Sequence, residues 1–348
     1  MEKVINVGKK RIGEENRCFI IAEAGVNHNG SLSMAKKLVN VAFEAGADAV
    51  KFQTFRSEEL VTNNAGMAEY QEKNTKRKEA QIKMLKRLEL KYDDFIELKR
   101  YCDKKGILFL ATPHSESAID FLEKLVPLYK VASGDLNNLP LLKKIAQKKK
   151  PIIISSGMAD MDEIVQALKV IKEVGNNQVI LLHCTTNYPC PFQEVNMKAM
   201  ATMQKKFKCL VGYSDHTEGI IVPILAVAYE AAVIEKHFTL DKNLPGPDHK
   251  ASLTPKELKE MVEAVRNAQS ALGNSIKKPT ESEKKIKKVA RKSIIARIAI
   301  KKGTTILEGM LSIKRPGTGI EPKYLSQIVG RTARKNIKRD EMLKRNQI

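Results

Sequence analysis

Between residues 18 and 237 the chain repeats one pattern: a short apolar run that ends in polar residues, then a longer amphipathic stretch. The apolar runs are Cys18–Ala24, Ala49–Gln53, Ile107–Ala111, Tyr129–Ala132, Pro151–Ile154, Val179–His183, Leu210–Tyr213 and Ala232–Ile234. Runs of this length, rich in Ile, Val, Leu and Phe and bounded by turn residues, predict strands buried on both faces. The stretches between them carry apolar residues at helical spacing. Ser31–Ala45 is stopped by Gly46, and Asp93–Lys104 is closed by Gly106. Met161–Val174, Pro223–Ala231 and Pro255–Leu272 have the same helical character. The connection from Thr54 to about Gln81 is polar and too long for a plain strand-to-helix loop.

Eight such strands alternating with helices predict an α/β fold, a closed (β/α)8 TIM barrel over residues 1–275. The polar residues support this. Glu23, Lys51, Gln53, Thr112, Ser133, Ser155, Ser214, His216, Glu235 and His237 all fall at strand C-terminal ends, the face on which barrels of this class gather their reactive groups. The alternative, a doubly wound open sheet, lacks a G-x-G-x-x-G after the first strand. Residues 276–290 are polar and lysine-rich and read as a linker. The short β-like runs of residues 291–348, with a tight R-P-G-T-G-I turn at Arg315–Ile320, predict a small, mainly β domain.

Composition narrows the function classes. Hydrophobic content of 43% and charged content of 29% describe a globular chain, and no apolar run approaches the ~18 residues of a membrane helix. The N-terminus lacks the apolar segment of a secretion signal, so the expectation is a cytoplasmic protein without a membrane partner. Five scattered cysteines with no C-x-x-C argue against a disulfide framework or a structural zinc site. Residues 276–348 hold 21 Lys and Arg against 6 Asp and Glu, which places +15 of the net +21 in that tail. Its basic residues are interleaved with strand-like runs and lack an aromatic stacking motif. They read as a solvated surface or an attraction for anionic substrates rather than a nucleic-acid site.

The chemistry is concentrated on two histidines and two lysines. His216 and His237 stand at the ends of the last two strands, so neighbouring parallel strands would bring both imidazoles to one rim. Two neutral imidazoles there can hold a divalent cation with positions open for substrate and water, with a carboxylate such as Glu235 as a further donor. The harder ions Mn²⁺ or Mg²⁺ suit such a set. Lys51 and Lys130 lie inside apolar strands, where lysine is rare unless paired. Joined by Thr112, Ser133, Ser155 and Ser214, they form an anion cradle suited to a phosphate and a carboxylate together. Glu23, Asp135, Glu235 and Asp248 are the candidate acid–base groups. His28 is either structural or part of the rim. His249 is expected to hold a loop, His183 to be core, and His114 to be peripheral.

These residues lie in the motifs A-E-A-G-V-N-H-N-G, V-K-F-Q-T-F, S-G-D-L-N-N-L-P, I-I-S-S-G-M, H-C-T-T-N-Y-P-C-P-F, G-Y-S-D-H-T, I-E-K-H-F-T-L-D and G-P-D-H-K-A-S. In that order they resemble the N-acetylneuraminate (sialic acid) synthase family, and A-R-K-S-I-I-A with K-R-P-G-T-G-I resembles its antifreeze-like, or SAF, domain. The resemblance spans about Phe19 to Asp340. It implies condensation of phosphoenolpyruvate with N-acetylmannosamine, or with the related amino sugars of legionaminic and pseudaminic acid synthases. It further implies that Lys51, Thr112, Lys130, Ser133, Ser155, Thr186 and Ser214 hold phosphoenolpyruvate. His216 and His237 would bind Mn²⁺ or Mg²⁺, and Glu23 and Glu235 would take part in catalysis. Gln53, Asn74, Asp135, Tyr188 and Asp248 would contact the sugar. A domain-swapped homodimer is implied as well, with Arg315 reaching the sugar of the other subunit. The chain departs from the common pattern at Asp135, at His114-Ser115, at Ser156, and at Thr186, where some relatives carry asparagine; these departures bear on the choice of sugar.

Overall fold

Alternation along each strand builds the molecule. A computed structural model describes residues 1–348, which divide into the units Met1–Gly273 and Asn274–Ile348. The first opens with an antiparallel hairpin, β1 (Val4–Val7) and β2 (Lys10–Gly13). The barrel strands follow: β3 (Phe19–Gly25), β4 (Ala49–Thr54), β5 (Leu108–Pro113), β6 (Tyr129–Val131), β7 (Ile152–Ser155), β8 (Val179–Cys184), β9 (Leu210–Asp215) and β10 (Val233–His237). They form one parallel sheet in the order β5-β4-β3-β10-β9-β8-β7-β6. β5 and β6 pack side by side and close the ring as a seam. The expected (β/α)8 barrel is the observed architecture.

Successive strand side chains point to opposite faces. Ile20, Val50, Phe109, Ile154, Leu181 and Ile234 face outward and pack with the helices in the main core. Phe19, Ile21, Ala49, Leu110, Ile153, Ile180, Leu182 and Val233 face inward and fill the lower part of the barrel. Ile5, Val7 and Ile12 of the β1–β2 hairpin join that inner cluster and plug the barrel at the strand N-terminal ends. Asp48 ties the plug in place, meeting Lys10 of β2 at 2.5 Å and Arg266 of the last barrel helix at 2.6 Å. The same alternation, two residues further along each strand, turns Glu23, Lys51, Lys130, Ser155, Ser214, Glu235 and His237 into the barrel mouth.

The helices begin and end where local chemistry dictates. Helix Pro255–Leu272 matches its predicted limits, because Thr254 and Glu257 form a reciprocal capping box and Pro255 occupies the first turn. Helix Tyr92–Lys105 ends at Gly106, whose φ of +83° suits only glycine at low cost. The long polar connection is not structureless. It carries helices Ser57–Leu60 and Glu69–Thr75 and is followed by helix Gln81–Leu88, whose Met84, Leu85 and Leu88 form a satellite core with Val26 and Phe55.

The second unit is organised by β11 (Ser293–Ala296) and β12 (Leu311–Lys314), an antiparallel pair, with isolated bridges at Thr305–Thr332 and Ile300–Ile337. Ile294, Ala296, Ile300, Ile306, Leu311, Ile328 and Ile337 supply its core. The stretch expected to be a linker differs from expectation. Thr280 and Glu283 form a capping box that starts a helix over Glu281–Ala290, and this helix belongs to the second unit. No helix is long and apolar enough to cross a membrane, and all five cysteines are free.

Candidate active site

At the C-terminal mouth of the barrel the inward side chains enclose a polar cavity of about 130 Å³. A larger hollow of about 850 Å³ lies at the opposite end, beside Asn16, Leu210 and Ala232, but it lacks the convergent buried charges of the mouth. The mouth is therefore the site, on chemistry rather than size.

The deeper layer is an ion cluster. Lys51 Nζ lies 2.8 Å from Glu23 Oε2, donates to Thr112 Oγ1 at 3.0 Å, and stands 3.7 Å from Glu235 Oε1. Lys130 Nζ donates to Ser155 Oγ at 2.8 Å and lies 3.4 Å from the same Glu235 oxygen, which also accepts the Ser214 hydroxyl at 3.3 Å. Gln53 donates to Glu23 Oε1 at 3.3 Å. All four charged groups are buried. Burying so much charge is tolerable only because the two ammonium groups offset the two carboxylates.

The two acids are not equivalent. Burial pushes Glu23 above the ordinary carboxylate range despite Lys51. Burial would also raise Glu235, but Lys130, Lys51 and then His216 outweigh it and hold that carboxyl low. Glu235 is thus turned onto the lysines. It does not complete a third metal-donor position, as the sequence had allowed, and no set of three or more His, Cys, Asp or Glu side chains converges to cage an ion.

One layer nearer the opening, His216 and His237 face each other with ring centroids 5.5 Å apart. The His216 Nδ1–H donates to Thr185 O at 2.7 Å, which leaves Nε2 as the nitrogen that can turn to an ion once its own proton is given up; burial opposes that proton, but the Cys184 contact raises the imidazole above its ordinary range. His237 Nδ1 is buried without a hydrogen-bond partner. Burial, with the charges of His216 and Lys51, holds His237 well below the ordinary imidazole range, so it is neutral near pH 7. An orphaned nitrogen on a neutral ring, opposite a ring of fixed tautomer, fits a divalent cation with most of its coordination sphere open.

Three further residues complete the mouth. Tyr188 lies against His216 at 4.1 Å and edge-on to His237 at 5.6 Å, and Tyr70 stacks on Tyr188 at 5.1 Å. Asp248 is buried close by; burial, then the Glu23 charge, raises its carboxyl to about 6. Asn74 does not line the cavity. It donates to Pro247 O at 2.7 Å and so fastens helix Glu69–Thr75 to the G-P-D-H loop. Arg315 belongs to the second unit and is exposed on the turn after β12.

Ser133 and Thr186 flank Gly157, whose N–H donates to Ser133 Oγ at 3.1 Å. A Cβ on Gly157 would fall 2.1 Å from Thr186 Oγ1 and 2.8 Å from both Cys184 Sγ and Ser133 Oγ. Gly157→Ala is therefore expected to push Thr186 into the cavity and weaken binding of an anion such as inorganic phosphate by roughly tenfold, the scale of an overpacked site. Calorimetric titration checks this, and unchanged affinity would contradict it.

Some residues were misjudged or missed by sequence. His114 is not peripheral: it lines the cavity, and its Nδ1 lies 3.2 Å from Asp135 Oδ2. Cys184 had no assigned role, yet its buried thiol faces His216; burial opposes ionisation, but the imidazole contact holds the thiol below its ordinary range. Tyr70 was hidden in the long connection. The remaining histidines are structural. His28 accepts the Gly30 N–H, His183 bonds Val195 O, and His249 bridges Thr239 and Asn29.

The model of the NeuB family matches residues 38–277, and that of the SAF domain matches residues 291–348. The chain is 48% identical over 331 residues to an N,N′-diacetyllegionaminic acid synthase of Campylobacter jejuni, covering 94% of this chain and 99% of that one. It is 38% identical over 335 residues to the human N-acetylneuraminate-9-phosphate synthase, covering 95% and 93%. The crystal structure of the N-acetylneuraminic acid (sialic acid) synthetase of Leptospira borgpetersenii, in complex with citrate, superposes with a TM-score of 0.74 at 36% identity, covering 82% of this chain and 95% of that one.

Proposed function

The chain belongs to the NeuB family, and from that premise we propose that it condenses phosphoenolpyruvate with an open-chain mannose derivative bearing two acetamido groups, as an N,N′-diacetyllegionaminic acid synthase does. The observation that carries the reaction is the buried cluster of Lys51 and Lys130 with the hydroxyls of Thr112, Ser155 and Ser214, in the same cavity as His216 and His237. The sugar is a correction to the sequence reading, which put N-acetylmannosamine first. Identity of 48% to the diacetyllegionaminic enzyme against 38% to the neuraminate-type enzyme favours the diacetamido substrate.

Phosphoenolpyruvate binds with its phosphate and carboxylate against Lys51, Lys130, Ser133, Ser155, Thr112, Thr186 and Ser214. The lysines supply charge, and the hydroxyls orient the anion without adding more. When bound between His216 and His237, Mn²⁺ or Mg²⁺ supplies a Lewis acid for the sugar aldehyde. Holding C3 of the enol ester against the aldehyde carbon removes most of the entropic barrier to carbon–carbon bond formation. The aldehyde oxygen becomes a hydroxyl with one proton of the water that adds at C2, and the other proton of that water leaves with the phosphate. Water adds at C2 and gives its proton to Glu23, whose raised basicity suits that transfer and whose second oxygen is oriented by Gln53. Phosphate then leaves by C–O cleavage, and the 2-keto acid remains. Tyr188, Asp248 and the His114–Asp135 pair border the space above the histidines and contact the sugar.

Phosphate release measured across a panel of amino sugars tests the reading. The diacetamido sugar is expected to be turned over with kcat/KM at least about tenfold above that for N-acetylmannosamine, as befits one well-made polar contact, and only with divalent cation present. Preference for N-acetylmannosamine would reinstate the neuraminate synthase, and full activity without cation would remove the metal.

A further inference from the structure

The inward residues of β9 and β10 build the site, but the outward residues between the same two strands hold a second charged cluster that the reaction does not use. Asp215 and Lys236 are register partners and are both wholly buried. Lys236 Nζ lies 2.5 Å from Asp215 Oδ2 and also donates to Thr217 O. Asp215 grips Thr217 in return, accepting its N–H at 3.0 Å and its hydroxyl at 3.1 Å. His216 is enclosed by this knot, since both of its chain neighbours belong to it. His237 follows Lys236 directly.

The position of the knot matters because the ladder between β9 and β10 ends there. Lys236–Asp215 is its last register pair, and His237 takes Glu23 of β3 as its partner instead. No β9–β10 backbone pairing reaches the two histidines: His216 O accepts the Cys190 N–H and His237 O the Leu253 N–H, so the Asp215–Lys236 contact is the last direct tie between the two strands that carry them. Burying a lysine and an aspartate is costly, and apolar residues of equal volume commonly serve stability as well or better. What an ion pair with several directional bonds adds is geometry. We propose that Asp215 and Lys236 are positioning residues that fix the separation of the His216 and His237 rings and thereby set the affinity for divalent cation. This rests on the reading that those imidazoles hold the cation.

The test uses full-length protein freed of metal by chelation. Mn²⁺ affinity is read from the free-ion electron paramagnetic resonance signal, and phosphoenolpyruvate affinity is read separately by calorimetry. Asp215→Asn/Lys236→Met removes both charges at once and keeps an acceptor for the Thr217 N–H. Folded double variant is expected to bind Mn²⁺ about ten- to a hundredfold more weakly, the range for residues that orient metal ligands, with phosphoenolpyruvate affinity within about twofold. Mn²⁺ affinity at the parent level overturns the proposal, and so does an equal loss of both ligands, which would mark a general structural role. Should the double variant not fold, Thr217→Val decides: removal of that hydroxyl alone weakens Mn²⁺ by about threefold or more if the knot sets the spacing, and unchanged affinity overturns it. His237→Ala runs alongside. If it leaves Mn²⁺ affinity unchanged, the metal reading itself is wrong; if it abolishes Mn²⁺ binding while the double variant binds Mn²⁺ at the parent level, only the positioning role falls.

Discussion

His237→Ala is expected to reduce phosphate release by at least about a thousandfold, because Lewis-acid stabilisation of the developing alkoxide is worth several kcal/mol and each ~1.4 kcal/mol is tenfold in rate. The ring is 6% exposed, its Nδ1 has no hydrogen-bond partner, and its neighbours are Tyr188 and His216. Removing it breaks no hydrogen bond through that nitrogen, so the stability cost is that of a lost buried ring, about 1–3 kcal/mol. A melting curve with one cooperative transition, paired with a Mn²⁺-dependent phosphate assay, separates loss of chemistry from loss of fold. Normal turnover by the variant would remove His237 from the mechanism.

Lys130→Met should be nearly as damaging, by a different route. Lys130 is the main opposing charge that keeps Glu235 ionised, and it stands 2.8 Å from Ser155 and 3.4 Å from Glu235. Without it Glu235 is left to Lys51 at 3.7 Å, and its carboxyl moves upward. Breaking one side of a buried ion pair costs about 3–5 kcal/mol of stability. Losing a charge-assisted contact costs about 1.5–3 kcal/mol of binding, so KM for phosphoenolpyruvate should rise by roughly a hundredfold. The two losses can be separated. Adding Glu235→Gln removes the stranded carboxylate and is expected to restore most of the melting temperature without restoring KM. Recovery of both would mean that Lys130 acts only as the counter-ion of Glu235 and not on the substrate.

Much of this site was readable in the chain because a barrel strand encodes its own geometry. An inward residue such as Phe19 is followed at every second position by another, so Ile21 is core and Glu23 reaches the mouth. A lysine inside such a run, as at residue 51 or 130, is conspicuous against apolar neighbours. The failures share a different cause. Ile5, Val7 and Ile12 sit in two strands of four residues each, too short to show a period, and nothing local reveals that they fill the foot of a barrel. Gln81–Leu88 has helical spacing but lies between the polar connection and the helix predicted from Asp93, where the sequence reading places no element. His114 follows Pro113, beyond the apparent strand end, and its meeting with Asp135 depends on how the chain returns 21 residues later. Tyr70 reaches the site only because Asn74 fastens its helix to a loop 173 residues away. Such partners come from tertiary folding, and periodicity carries no trace of them.

The hairpin plug has a consequence for traffic. With Ile5, Val7 and Ile12 stopping one end of the cylinder, a single doorway serves both reactants and both products. The lysines lie beneath the histidines, and the two tyrosines stand above. An anion at the lysines and a second molecule at the histidines must therefore share one way in and one way out.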